Sequence, residues 1–314
     1  MTAPSATLKT ERQTPAWWRW ISTRAPHTYA ITFWLLSLIL FWQPLRSLAI
    51  LSFHDELANH VLLIPVISAL LIYLERKRIF CTPRYCPTIG VPLLLLSVAL
   101  WYGLKTPLSH LSNTDRLSVV AALIVLTWIA AFVLFYGIGS SRAAAFPLLF
   151  LFLMSPLPVV VSAHLISLLQ KGSADTCVAL FRLIGVPVIR HGFRFSLPGV
   201  TIEVAEQCSG IHAGLSLFIA GLLAEHVLLQ DTWKKACFTL CIFPIAIFKN
   251  AVRIVTIAWL GIHVNPAFFE GRLHRQGGLP FALVALALMA LLLWLLRRPF
   301  PLFRTNPFVP TTGL

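Results

Sequence analysis

Three residues in the second half of the chain could together carry out covalent catalysis on a carbonyl group: Cys208, Arg253 and His274. A thiolate is a good nucleophile, and a guanidinium can stabilise the oxyanion that forms on the attacked carbonyl. An imidazole can act as a general base and then donate a proton to the leaving amine. The three residues lie far apart in the sequence, so only the fold of the chain can bring them together.

Cys208 lies between a polar segment and an apolar run that begins at Ile211. Its neighbours Glu206 and Ser209 are polar, and Gly210 allows another chain to come close. If a helix starts at Ile211, its unpaired N–H groups and partial positive charge would favour a thiolate. A buried structural cysteine is the commonest alternative for this residue type, but the polar neighbours favour a reactive one.

Arg253 lies inside a long apolar run, where an ionisable side chain is unusual. Placing such a group at the centre of a membrane helix costs about 2.5–3.5 kcal/mol on insertion scales. Asn250 precedes it by three residues and would share its helix face. The two together indicate a polar site inside a helix bundle, although an arginine near a helix end could also extend to the lipid headgroups.

His274 lies in a polar loop, where a histidine is usually only solvated. Combined with a cysteine on the same side of the membrane, it becomes a candidate general base and acid. His212 and His263 are competing candidates for that role.

The composition is that of a polytopic membrane protein. Of the 314 residues, 58% are hydrophobic and 11% are charged, whereas a soluble domain carries about 25% charged residues. The net charge of +14 is spread over loops between apolar runs and forms no continuous patch. We therefore attribute it to membrane lipids and expect no nucleic-acid binding.

The apolar runs predict an all-α bundle with about eight transmembrane spans. The predicted spans are residues 28–45, 57–74, 88–104, 117–137, 143–160, 211–229, 236–262 and 280–296. The stretch 161–209 differs from them. Leu165 to Ile184 has a helical period but carries polar residues, which favours an interfacial helix. Val186 to Val204 alternates and contains glycine and proline, which predicts a short β-hairpin.

Lysines and arginines are concentrated in the loops that are cytoplasmic if the N-terminus is inside. This bias predicts that both termini are cytoplasmic and that Cys208 and His274 share the outer face. We expect a cytoplasmic tail at 1–26, which does not resemble a signal peptide, a catalytic membrane domain at 27–298 and a second cytoplasmic tail at 299–314.

Three motifs in this order resemble the exosortase/archaeosortase family of membrane transpeptidases. They are Ala205-Glu206-Gln207-Cys208-Ser209-Gly210-Ile211, Asn250-Ala251-Val252-Arg253-Ile254, and Leu273-His274 with Gly278 behind it. Supporting similarities extend the resemblance over about residues 55–298.

The resemblance implies that Cys208 is the nucleophile and that Arg253 and His274 complete the catalytic set, with Glu206, Ser209 and Asn250 supporting them. It implies a site on the outer face of a bacterial inner membrane, and no metal or cofactor is expected. The expected substrates are exported proteins that end in a Pro-Glu-Pro-like motif, a transmembrane helix and a basic tip. Such proteins are transferred to an acceptor, often in connection with exopolysaccharide production.

Three alternatives remain open from the residues alone. The first is a cysteine protease that hydrolyses without transfer. The second is a transporter in which Arg253 and Asn250 line an anion path, although no internal repeat supports it. The third is a metal enzyme that uses His54, Asp55, Glu56 and His60, for which a polar loop is the simpler interpretation.

Overall fold

The computed structural model describes residues 16–81, 83–204, 210–269 and 278–298. The described part of the chain is mainly helical. Its α-helices in the first half are α1 (Ala16–Leu40), α2 (Trp42–His54), α3 (Leu63–Leu74), α4 (Arg76–Ile79), α5 (Pro87–Gly103), α6 (Lys105–Ser109), α7 (Asn113–Ala143) and α8 (Ala145–Phe150). Those in the second half are α9 (Val159–Leu183), α10 (Ile211–Leu228), α11 (Thr232–His263) and α12 (Gly278–Arg297). Short 3₁₀ helices occupy Glu56–Ala58, Leu151–Met154 and Pro266–Phe269.

Several of these helices are long and apolar enough to cross a bilayer. Within the described residues, α7, α10, α11 and α12 qualify singly, and the number rises to six if two bent helix pairs each count as one span. The first pair is α1 with α2, which meet at 72°; the second is residues 145–154 with α9. Helices α3 and α5 are apolar but shorter. The protein is therefore a polytopic helical membrane protein.

The chain divides into two compact units, and the boundary lies between Pro158 and Val159. In the first unit α7 is the central helix, and α1, α2, α4 and α5 pack against it. Its core contains the fully buried side chains of Ile124, Val125 and Phe132. Aromatic rings cluster around Tyr136, whose hydroxyl lies 3.1 Å from His27 Nδ1.

Helix α7 is interrupted at Gly137, which has φ +79° and ψ 174°. A Cβ at this position would lie 2.5 Å from the carbonyl oxygen of Arg84, so only glycine fits there. The extended residues before α5 form hydrogen bonds with carbonyl groups of α7 near the break. The Arg84 N–H donates to the Tyr136 carbonyl oxygen, and the Cys86 N–H donates to the Leu134 carbonyl oxygen. The predicted fourth span ends at this glycine, while the helix continues beyond it to Ala143.

The second unit contains a three-stranded antiparallel sheet between α9 and α10. The strands are β1 (Ile189–His191), β2 (Arg194–Leu197) and β3 (Val200–Glu203), in the order β1-β2-β3. The hairpin predicted at Val186 to Val204 was therefore one strand short. The pleat of β2 turns Phe195 and Leu197 inward, where they join Phe181 of α9 and Val255 of α11 in one apolar cluster.

Helix α11 is the central helix of the second unit. It packs against α9, α10 and α12. Phe238 and Ile242 of α11 form a second core with Leu217 of α10 and Met289 of α12. Because both cores use α11, the polar residues in the middle of this helix are held between packed neighbours.

Three of the predicted spans agree closely with single helices of the structure. The predicted spans at 88–104, 211–229 and 280–296 correspond closely to α5, α10 and α12. The fifth predicted span, 143–160, was wrong as a continuous helix, because α8 passes into a 3₁₀ helix and the helical structure ends at Met154. The segment predicted to be interfacial is helical as α9; its place relative to a membrane stays a prediction.

Candidate functional site

Polar side chains are buried between α9 and α11. Gln170, Ser173 and Asn250 are 7%, 0% and 1% exposed. Asn250 Nδ2 donates to Ser173 Oγ at 3.0 Å. Gln170 Nε2 donates to the carbonyl oxygen of Val204 at 2.6 Å. Because Gln170 and Ser173 are three residues apart, they lie on one face of α9, and this face connects the end of the sheet to α11.

Gly210 lies directly against Asn250. It has φ +79°, and a Cβ built on it would lie 3.1 Å from Asn250 Cγ and 3.2 Å from Asn250 Oδ1. Gly210 also begins α10, since its carbonyl accepts from the Gly214 N–H at 2.7 Å. The described residues on either side of 205–209 are thus both held at the α9–α11 interface: Val204 by Gln170, and Gly210 by Asn250.

We expect Gly210→Ala to destabilise the protein by more than the strain of its backbone alone. A left-handed conformation costs an L-residue roughly 1–2 kcal/mol, and the added methyl group would also press on Asn250. Gly199→Ala is the matched control, because Gly199 has φ +80° and open space around the would-be Cβ. The apparent melting temperature of Gly210→Ala should fall further than that of Gly199→Ala. An equal fall in the melting temperature of both variants would show that the contact with Asn250 does not contribute to the destabilisation.

Arg253 is half-buried on α11, one turn beyond Lys249. Ten residues separate it from the end of the helix at His263, about 15 Å along the axis. Arg253 and Asn250 share a face, as the sequence predicted. The contact between Gly210 and Asn250 therefore brings the start of α10 to the turn of α11 that also carries Arg253.

The other predicted site residues lie outside the described residues. Cys208, Glu206 and Ser209 fall in 205–209, and His274 falls in 270–277. That Cys208, Arg253 and His274 meet in space stays a prediction. Of the predicted set, the structure describes Arg253 and Asn250.

Sequence reasoning missed Lys249 as a candidate site residue. This lysine is 2% exposed, although it carries an ammonium group within a membrane-length apolar helix. It lies next to Asn250 and four residues before Arg253, and the two cations repel each other. The sequence did contain a signal for this site, namely a lysine close to two other polar residues, Asn250 and Arg253, within an apolar run.

Of the two competing histidines, His263 has a local contact of its imidazole in the structure. His263 Nδ1 lies 3.0 Å from the Trp259 carbonyl oxygen, and the two rings stack at 5.0 Å. His212 is in the first turn of α10 and its carbonyl oxygen accepts from Ser216 Oγ.

Two residues of the alternative metal site, His54 and Asp55, have local contacts. His54 Nδ1 lies 2.8 Å from the Ile50 carbonyl oxygen, and Asp55 Oδ1 accepts from the Leu57 N–H at 2.9 Å. Among the residues that the structure describes, no group of three or more His, Cys, Asp and Glu side chains is placed to hold a metal ion.

The fold and the buried polar residues define a polytopic membrane protein with polar groups inside a helical unit. The family model of the transmembrane exosortases matches residues 52–293. Since this match covers most of the chain, the protein belongs to the transmembrane exosortase family. No curated protein and no solved structure matches the chain.

Proposed function

We propose that this protein is a membrane-embedded cysteine protease and transpeptidase that cleaves C-terminal sorting signals of exported proteins. Its substrates end in a Pro-Glu-Pro-like motif, one transmembrane helix and a basic tip. The product is transferred to a lipid-linked or polysaccharide-linked acceptor. Membership of the exosortase family supports this class of reaction.

The contact of Gly210 with Asn250 is the observation that carries the proposal. Gly210 follows the Cys208-Ser209 pair in the sequence, and Asn250 lies one turn from Arg253 on α11. A nucleophile at Cys208 and an oxyanion-stabilising group at Arg253 require the ends of these two motifs to come together. Gly210 of the first motif and Asn250 of the second are in contact.

In the proposed reaction the Cys208 thiolate attacks a backbone carbonyl of the tail motif. The C=O double bond opens to an oxyanion, which the Arg253 guanidinium stabilises. His274 protonates the departing amine as the C–N bond breaks, leaving a thioester on Cys208. An acceptor amine, hydroxyl or water then attacks the thioester, and His274 takes its proton. The C–S bond breaks, which releases the product and regenerates the Cys208 thiolate. Glu206, Ser209 and Asn250 orient these groups.

We place this site at the outer face of a bacterial inner membrane, with both termini in the cytoplasm. The distribution of lysine and arginine supports this orientation. Helices α7, α10, α11 and α12 are long enough to cross singly, and we assign the other four of the eight proposed spans to the bent pair α1–α2, to α3, to α5 and to residues 145–154. Helix α9 would then be the interfacial helix of the outer face.

The mass of the product's new C-terminus tests the proposal and separates it from simple hydrolysis. The enzyme and a reporter that carries such a tail would be produced together, and the processed reporter analysed by mass spectrometry. We expect cleavage near the tail motif and an added acceptor mass. A free carboxyl terminus would favour a hydrolytic cysteine protease, and an uncut tail would contradict both.

A further inference from the structure

Lys249 is a buried cation to which the proposed reaction gives no role. Its side chain is 2% exposed. In the part of the chain that the structure describes, the Lys249 ammonium has no ion pair and no hydrogen bond. Burying an ammonium group without a partner is costly, and buried charges are normally paired. An anion would stabilise the charged form of a lysine in this setting.

The described carboxylates of the second unit are occupied elsewhere. Their partners are Arg190 for Asp175, Arg194 for Glu203, Thr239 for Glu225 and Lys234 for Asp231. None of these four carboxylates serves Lys249.

Among the described residues, positive groups lie close to Lys249 on α11 and α10. Arg253 lies four residues away on the same helix face and repels it. Lys249 also lies at the level of the first turn of α10, because the α11 residues on either side of it, Ala246 and Asn250, contact Gly214 and Gly210. The amino end of a helix carries a partial positive charge. Lys249 and Arg253 thus lie one turn apart on α11 at the level of the amino end of α10, an arrangement that would favour an anion.

We propose that Lys249, next to Arg253, binds a carboxylate of the peptide substrate and so determines which tails the enzyme accepts. This inference rests on the proposed function. With Arg253 assigned to the oxyanion, Lys249 is available for a second negative charge close to the scissile bond. Arg253 is half-buried and lies one turn from Lys249 on α11, so the proposed substrate carboxylate would bind at the turn that carries both. A glutamate in the tail motif supplies a carboxylate of this kind.

Two reporters that differ in one residue test this role. One tail carries Pro-Glu-Pro and the other Pro-Gln-Pro, each followed by the same apolar helix and basic tip. The full-length enzyme should process the glutamate tail faster by roughly tenfold or more, the range expected for a hydrogen bond to a charged group. Lys249→Met should bring the ratio of the two rates close to one, and Lys249→Arg should preserve it. Lys171→Met, at an exposed position on α9, is the matched control and should leave the ratio unchanged.

The ratio of rates separates a role in recognition from a merely structural one. If Lys249→Met slows both reporters equally, the lysine supports the fold and the inference is wrong. A second arm tests whether the carboxylate belongs to the enzyme. For this arm the effect of Lys249→Met on the processing rates is measured in the wild-type enzyme and in Glu206→Gln. If Lys249→Met changes the rates only when Glu206 is present, and the ratio of the two reporters stays unchanged, the partner of Lys249 is a carboxylate of the enzyme and the inference is overturned. Failure of the proposed function would look different, since neither reporter would show cleavage that depends on Cys208.

Discussion

Replacement of Cys208 by alanine is expected to abolish processing of the sorting signal, while the protein still inserts into the membrane. The substitution removes the only atom that can form the thioester in the proposed mechanism. Loss of the nucleophile in enzymes of this type lowers turnover by roughly a thousandfold or more. The full-length reporter should therefore accumulate, which can be followed by immunoblotting of membrane fractions.

Cys81→Ala provides the matched control, because Cys81 is an exposed cysteine in the first unit. It should leave processing at the wild-type level. Both variants should be present in the membrane fraction in equal amounts, which excludes a defect in insertion. Normal processing by Cys208→Ala would contradict the assignment of the nucleophile and with it the whole mechanism.

The helices of the second unit were largely predictable from the sequence. Long apolar runs that end in charged residues identify α10 and α12, since about 20 apolar residues are required to cross a bilayer. The polar pair Asn250 and Arg253 was also visible, because three residues on a helix return a side chain to nearly the same face. These are properties of single helices and need no knowledge of their neighbours.

The features that depend on packing between elements were not predictable. The predicted fourth span ends at Gly137, but the continuation of the helix beyond a break there reflects the close approach of the Arg84 carbonyl. The sheet has three strands and not two, and its middle strand β2 buries Phe195 and Leu197 in a cluster that α9 and α11 complete. The burial of Lys249 likewise depends on which face of α11 its neighbours cover. In each case the decisive partner is distant in the sequence.

Arg253→Lys is expected to lower turnover of the tail reporter by roughly a hundredfold to a thousandfold, the usual effect of removing one oxyanion donor. Lysine keeps the positive charge, but it lacks the planar fork of N–H donors that holds an oxyanion in a defined direction. The Michaelis constant should change little, because an interaction made mainly in the transition state affects turnover. Kinetic measurements on the full-length enzyme in lipid nanodiscs with a synthetic tail peptide would separate the two parameters.

The same substitution discriminates between a catalytic arginine and one that merely extends to the lipid headgroups. Lysine reaches the headgroups as readily as arginine does, so a residue with only that role would tolerate Arg253→Lys. Arg182→Lys is a suitable control, since Arg182 is exposed in the last turn of α9 and should retain full turnover. Near-normal turnover of Arg253→Lys would remove Arg253 from the catalytic set. A large loss of turnover in Arg253→Lys, without a loss in Arg182→Lys, would show that catalysis needs the geometry of the guanidinium group. That group would act from the half-buried position of Arg253 beside Asn250.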